Sequence, residues 1–185
     1  MSSSELLEAN AAVLAARERW QYRGQARPEF AQPTGSAEES VWDFPRPPRI
    51  EPVSEPVRVY AGDRLVAQTQ RARRVLETAG APTYYLPPED VNAQLLEREG
   101  EASLCEWKGV ACVFTVAGHQ GAGWCYERTF PEFASIRGWL AFYPALLDCY
   151  LGDERVTAQP GGFYGGWVRG NLTGPIKGEP GSSAW

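Results

Sequence analysis

The sequence predicts a mainly β protein of the α+β kind, a small antiparallel sheet domain with short peripheral helices. Three observations lead there. Val110, Cys112, Phe114 and Val116 alternate with Ala111, Val113 and Thr115, the period-two pattern of β-branched and aromatic residues that marks a strand. A second strand-like run, Trp124 to Arg128, follows a Gly-rich loop and makes the pair a hairpin. Two further apolar runs turn at Gly62-Asp63 and Gly152-Asp153, which is shared turn chemistry rather than a duplication.

In chain order, residues 1–20 are expected to form a helix. Ser2 and Glu5 have capping-box spacing, and Leu6, Leu7, Ala11, Val13, Leu14 and Ala15 supply an apolar stripe. The stripe is weak and Ala-rich, so the helix is peripheral. Residues 21–56 carry Pro28, Pro33, Pro45, Pro47, Pro48, Pro52 and Pro56, too many for a hydrogen-bonded ladder, and read as an extended strap. Trp42 and Phe44 would be wasted in a free linker and are expected to pin the strap down. The compact β-rich domain spans 57–156 and opens on the hairpin Val57 to Gln68. A short helix over 70–78 closed by Gly80, a short strand between Pro82 and Pro88, and a second helix from Glu89 through Leu96 are expected next. The knot Glu106-Trp107-Lys108-Gly109 then leads into the central strand, which ends in a loose loop, Ala117 to Gly121. A helical turn at 130–137 and strands at 138–143 and 146–151 complete the domain. Residues 157–185 form a tail in which glycines stand beside Phe163, Tyr164 and Trp167. Glycine next to aromatics marks backbone passing close to another surface, so the tail is expected to wrap the domain.

Composition narrows the function. A net charge of −5 and a pI near 5.0 argue against nucleic-acid or anionic-membrane partners, which need a basic face. No apolar run approaches the roughly 18 residues needed to span a bilayer. Met1 to Glu8 lacks the basic and apolar regions of a signal peptide, so a cytoplasmic location is expected. Cys105, Cys112, Cys125 and Cys149 include no Cys-x-x-Cys pair. They read as reduced, buried thiols, and no metal or other cofactor is expected. The only histidine, His119, sits among glycines as a solvated turn residue.

What remains is aromatic and polar. Tyr85, Trp107, Trp124, Tyr126 and Tyr143 belong to an aromatic set too large for a small core to bury without some lining a cleft, and Glu106, Lys108, Arg74 and Arg137 are the charges among them. Residue by residue, the plain reading is core packing and satisfied ion pairs. As a group, Trp107, Lys108, Glu106, Tyr85, Tyr126, Arg74, Tyr143 and Trp124 are expected to form an aromatic pocket with a Lys/Arg anchor for an anionic or planar polar small molecule. A second reading is an enzyme using Lys108 with Glu106 or Tyr126 for acid–base or Schiff-base chemistry. A third is an interaction module whose helix, strap and tail dock a partner or a second copy in a homodimer.

Five ordered motifs carry a family resemblance: Arg74-Val-Leu-Glu77, Tyr84-Tyr-Leu-Pro-Pro-Glu-Asp-Val91, Cys105-Glu-Trp-Lys-Gly109, Trp124-Cys-Tyr126 and Ala141-Phe-Tyr143. Over Val57 to Leu151 the chain resembles the bacterial family called domain of unknown function 427. The strap and tail look like an actinobacterial elaboration of it. The resemblance implies a small, mostly antiparallel, β-tent-like domain without an agreed function. Glu106 departs from the proline common at that position and adds a carboxylate beside Lys108. A nucleotidyltransferase label attaches to the family, but such transfer needs a Gly-Ser turn and an Asp-x-Asp pair on a strand for two metal ions. Here Gly35-Ser36 lies in the strap and no such pair occurs.

Overall fold

The structure, a computed structural model, describes residues 6–185 and is mainly β. The Ser2/Glu5 capping box lies outside the described residues. The helix is shorter than expected: α1 spans Ala11–Glu18, because Asn10 caps it by accepting the Val13 N–H at 3.0 Å. Leu7 instead extends along the main domain, its N–H donating to Thr129 O at 2.8 Å. The strap is pinned as expected, with Trp42 fully buried and Phe44 nearly so. It is more ordered than its prolines suggested. Strand β1 (Glu39–Ser40), a 3-10 turn at Val41–Asp43 and strand β2 (Arg49–Pro52) lie within it. β2 stands at the edge of a three-stranded sheet, where a strand tolerates proline.

β3 (Val57–Ala61) and β4 (Arg64–Thr69) form the expected hairpin. The helix expected over 70–78 is instead β5 (Arg73–Leu76), which pairs with β2 on one side and β6 (Thr83–Tyr85) on the other. Tertiary context overrides local propensity here. Neighbours Val75 and Leu76 pack into two different clusters, as a strand allows and one helix face does not. The second expected helix is two 3-10 turns, Pro88–Asp90 and Ala93–Leu95, followed by β7 (Leu96–Cys105). β7 was illegible because it is an edge strand, mostly exposed on both faces, with no apolar alternation.

β8 (Gly109–Val116) and β9 (His119–Thr129) are the central hairpin. Its loop is tight, not loose: Val116 pairs with His119 across Ala117 and Gly118, both at positive φ. Such a two-residue turn matches the strand twist. A 3-10 turn at Pro131–Ile136 leads to β10 (Ala141–Phe142), which pairs with β9. β11 (Asp148–Leu151) and β12 (Glu154–Arg155) repeat the Gly-Asp hairpin. β11 lies antiparallel beside β3, and Tyr60 and Tyr150 meet edge to face at 6.0 Å. In the tail, β13 (Thr157–Ala158) pairs with β14 (Trp167–Val168), and β15 (Leu172–Thr173) runs parallel to β1. The tail therefore wraps the domain and ties to the strap. Among the described residues, no helix is long and apolar enough to cross a membrane.

The central hairpin divides the interior in two, and its alternation is the reason. Cys112, Val116 and Cys125 face a core shared with Val57, Val59, Leu86 and Trp167. Ala111, Val113, Trp124 and Tyr126 face the other way, toward Tyr85 and Ile136. That second face carries the site.

Candidate functional site

A cavity of about 570 Å³ lies over this second face, within the size range of small-molecule sites. Across the β8–β9 ladder, small residues meet large ones: Ala111 faces Tyr126 and Val113 faces Trp124. The short side chains leave the room that the rings border. Trp124 stands 4.5 Å from Tyr143 and 6.4 Å from Tyr85, and Tyr126 also stands 6.4 Å from Tyr85, centroid to centroid. These four rings form an apolar wall. Leu104 and Phe163, 54% and 72% exposed, border the opening.

The opposite side is polar and is assembled from four separate segments. Lys108 sits in the three-residue turn between β7 and β8. Gly109 makes that turn possible, since at its φ of 128° a Cβ would run into the main chain of Arg128 and Thr129. The Phe130 N–H donates to Lys108 O at 3.2 Å and holds the turn against β9. Glu77 follows β5 and pairs with both Lys108 at 3.6 Å and Arg46 at 3.2 Å. Arg46 comes from the strap. Its 1%-exposed guanidinium also donates to Tyr22 O and Thr78 O, at 2.9 and 3.0 Å, and stacks on Trp20 at 4.4 Å. Lys177 comes from the tail, its Nζ 3.8 Å from the Trp20 ring centroid and donating to Trp185 O at 2.8 Å.

Most of the residues expected at a pocket converge here. Tyr85, Glu106, Lys108, Trp124, Tyr126 and Tyr143 all line the cavity. Two do not. Trp107 is buried in the same cluster as Tyr85, Trp124 and Tyr126 without lining the cavity, and packs beneath the Arg17 guanidinium, 5.2 Å from its ring. Arg74 is held by Glu39 and Glu51 at 2.8–3.1 Å beside a smaller, separate cavity. Glu106 serves as a clamp for the N-terminal segment: Trp20 Nε1 donates to its carboxylate at 2.8 Å and Arg17 Nε to its carbonyl at 2.7 Å. Sequence reasoning missed Arg46, Glu77 and Lys177. A signal existed for the last: the chain has 18 basic residues, of which only Lys108 and Lys177 are lysines, and both line this one cavity.

The electrostatics separate the two lysines. Burial alone would lower the Lys108 ammonium, but Cys105, Glu77, Tyr126 and Tyr85 around it hold its pKa well above the ordinary lysine value. Burial lowers Lys177 to about 8, and the neighbouring Arg46 charge adds to the effect. Burial raises the Tyr85 and Tyr126 phenols, so both stay protonated. Arg19, Arg46, Lys108 and Lys177 face Glu77 and Glu106 alone, so the lining carries a positive surplus in an acidic chain. Two polar groups are unspent. Among the described residues the Tyr85 hydroxyl has no hydrogen-bond partner, and Lys108 has only its 3.6 Å ion pair, longer than a hydrogen bond. No group of three or more His, Cys, Asp or Glu among the described residues is placed to hold a metal ion.

The tail segment over the wall depends on one glycine. A Cβ at Gly165 would overlap the Trp124 indole. Gly165→Ala is therefore expected to cost about 1–3 kcal/mol through overpacking and to displace Trp124. Chemical denaturation and a shift of tryptophan emission check this, and an unchanged spectrum at wild-type stability contradicts it.

A family model described as domain of unknown function 427 matches residues 49–153. No curated protein matches the chain. The matched segment contains the aromatic wall, Glu77, Glu106 and Lys108. Trp20, Arg46 and Lys177 lie outside it.

Proposed function

We propose, for a chain that belongs to the domain of unknown function 427 family, that the cavity binds a small, flat organic anion, a carboxylate on an aromatic or conjugated skeleton. The observation that carries this reading is the pair of unspent donors. Lys108, its side chain 13% exposed, and Tyr85, its hydroxyl buried without a partner among the described residues, line the same aromatic-walled cavity. Together they match the two oxygens of one carboxylate: a charged donor and a neutral one. The rings of Trp124, Tyr126 and Tyr143 supply faces for a flat skeleton, and the positive surplus of the lining favours an anion. A lysine held in its charged state is an anchor rather than a general base, which favours binding over acid–base chemistry at Lys108. The free thiols of Cys105, Cys112, Cys125 and Cys149 fit a reducing, cytoplasmic setting.

Tryptophan fluorescence with a panel of aryl carboxylates, cinnamate, phenyllactate and indole-3-acetate, against their neutral amides tests the reading. Acids are expected to bind and amides to bind weakly. Lys108→Met is expected to lose about ten- to a hundredfold in affinity, the worth of a charge-assisted hydrogen bond, while keeping the wild-type melting temperature within a few degrees. Equal binding of acid and amide, or full affinity in Lys108→Met, overturns it.

A further inference from the structure

Both lysines of the chain line one cavity, while the sixteen other basic residues are arginines. Arginine does everything a permanent cation must do, often better than lysine. What only lysine offers is an amine that can shed its proton and attack carbon. The environments of the two lysines differ in the way such chemistry needs. Lys108 stands between Glu77, Cys105 and two phenols and stays charged. Lys177 is 4% exposed, holds its Nζ 3.8 Å from the Trp20 ring centroid, donates to Trp185 O at 2.8 Å and has no Asp or Glu carboxylate within ion-pair distance among the described residues. Two like groups whose surroundings push their protonation apart take complementary roles in one site.

We propose that Lys177 is a Schiff-base nucleophile for an aromatic 2-oxo acid whose carboxylate is held by Lys108 and the Tyr85 hydroxyl. The proposal rests on the carboxylate reading above and adds a covalent step to it. The Lys177 nitrogen lone pair attacks the ketone carbon, forming a C–N bond, and the carbonyl π pair moves to oxygen. The resulting carbinolamine loses the oxygen as water, carrying away two protons that began on the amine, and a C=N bond remains. Nothing is oxidised or reduced. The charged and titratable groups facing Lys177 are Arg46 from the strap, Glu77 after β5, Glu106 from the turn, Arg19 after α1 and Tyr164 from the tail. The two arginines oppose a charge on Lys177, and the two carboxylates are the acceptors available to the leaving protons. With the amine near 8, the uncharged fraction and the rate of attack rise through that pH and level off above it.

The test is reductive trapping. Full-length protein is mixed with phenylpyruvate and borohydride across pH 6–10, and adducts are mapped by peptide mass spectrometry. The expected result is one adduct at Lys177, with a rate that climbs around pH 8, disappears in Lys177→Arg and is suppressed by phenyllactate, which has the acid but no ketone. Lys108→Met is expected to raise the phenylpyruvate concentration needed while leaving the adduct at Lys177. Labelling at Lys108 or the N-terminal amine with none at Lys177 overturns the proposal. If phenyllactate binds and no Lys177 adduct forms, the imine falls while the carboxylate site stands. If phenyllactate leaves the fluorescence unchanged and no adduct forms, both fall.

Discussion

Trp42→Ala is expected to lower the unfolding free energy by about 3–5 kcal/mol, the cost of emptying a large buried aromatic site. Trp42 is fully buried, and Tyr22, Phe30 and Trp185 surround it with ring centroids 5.2–5.3 Å away. Those rings come from the strap and the far end of the tail, so one residue joins both wrapping segments to the domain. Proteolysis is therefore expected to accelerate within 20–48 and beyond 169 before the β sheets are cut. Trp42→Phe is expected to cost less than the alanine change, because it keeps most of the ring and removes an indole N–H that has no hydrogen-bond partner among the described residues. Urea denaturation of both variants checks the order. An alanine variant within about 1 kcal/mol of wild type, well below the usual cost of such a change, means that strap and tail are not part of the cooperative core.

Glu77→Ala is expected to be nearly as damaging and more informative. Arg46 is 1% exposed and relies on Glu77 for its counter-charge. A buried ion pair adds little net stability, but removing one partner strands a charge and costs about 3–5 kcal/mol. Tyr22 O and Thr78 O continue to accept from the guanidinium, which places the expectation at the lower end. Glu77→Asp restores the charge and is expected to recover much of the loss. The cavity responds as well. Glu77 is a charge that raises both Lys108 and Lys177, so its removal moves each toward the uncharged amine. The sign follows: in Glu77→Gln, the trapping of phenylpyruvate at Lys177 is expected to reach its plateau at lower pH than in wild type. A pH profile that does not move shows that Glu77 and Lys177 are not electrostatically coupled.

Much of the fold was legible because its signals are local. The alternation along 110–116, the Gly-Asp hairpins and the pinning aromatics of the strap each read correctly from residues near in sequence. Where local signals competed with distant pairing, they misled. Residues 73–76 have a helix-like setting until the strap supplies Arg49–Pro52 as a ladder partner. β7 has no apolar period because both of its faces meet solvent. At the site, the aromatic residues of β6 and β9 and the Lys108 turn were found because they are dense and unusual in composition. Trp107 lies in the buried aromatic cluster beneath an arginine of α1 rather than on the cavity lining, and Arg74 is taken up by two glutamates that arrive from the strap.

By itself the sequence determined the β character of the chain, its family, the two faces of the central hairpin and the aromatic, Lys108-bearing half of the cavity. Period, turn chemistry and motif are properties of consecutive residues. Only the tertiary structure decided that Glu77 would join Arg46 to Lys108, that Lys177 would lie against Trp20, and that the chain's two lysines would share one cavity in opposite electrostatic settings. Those outcomes depend on where the strap and the tail cross the domain and on how deeply each charge is buried, and neither is encoded in any stretch short enough to read.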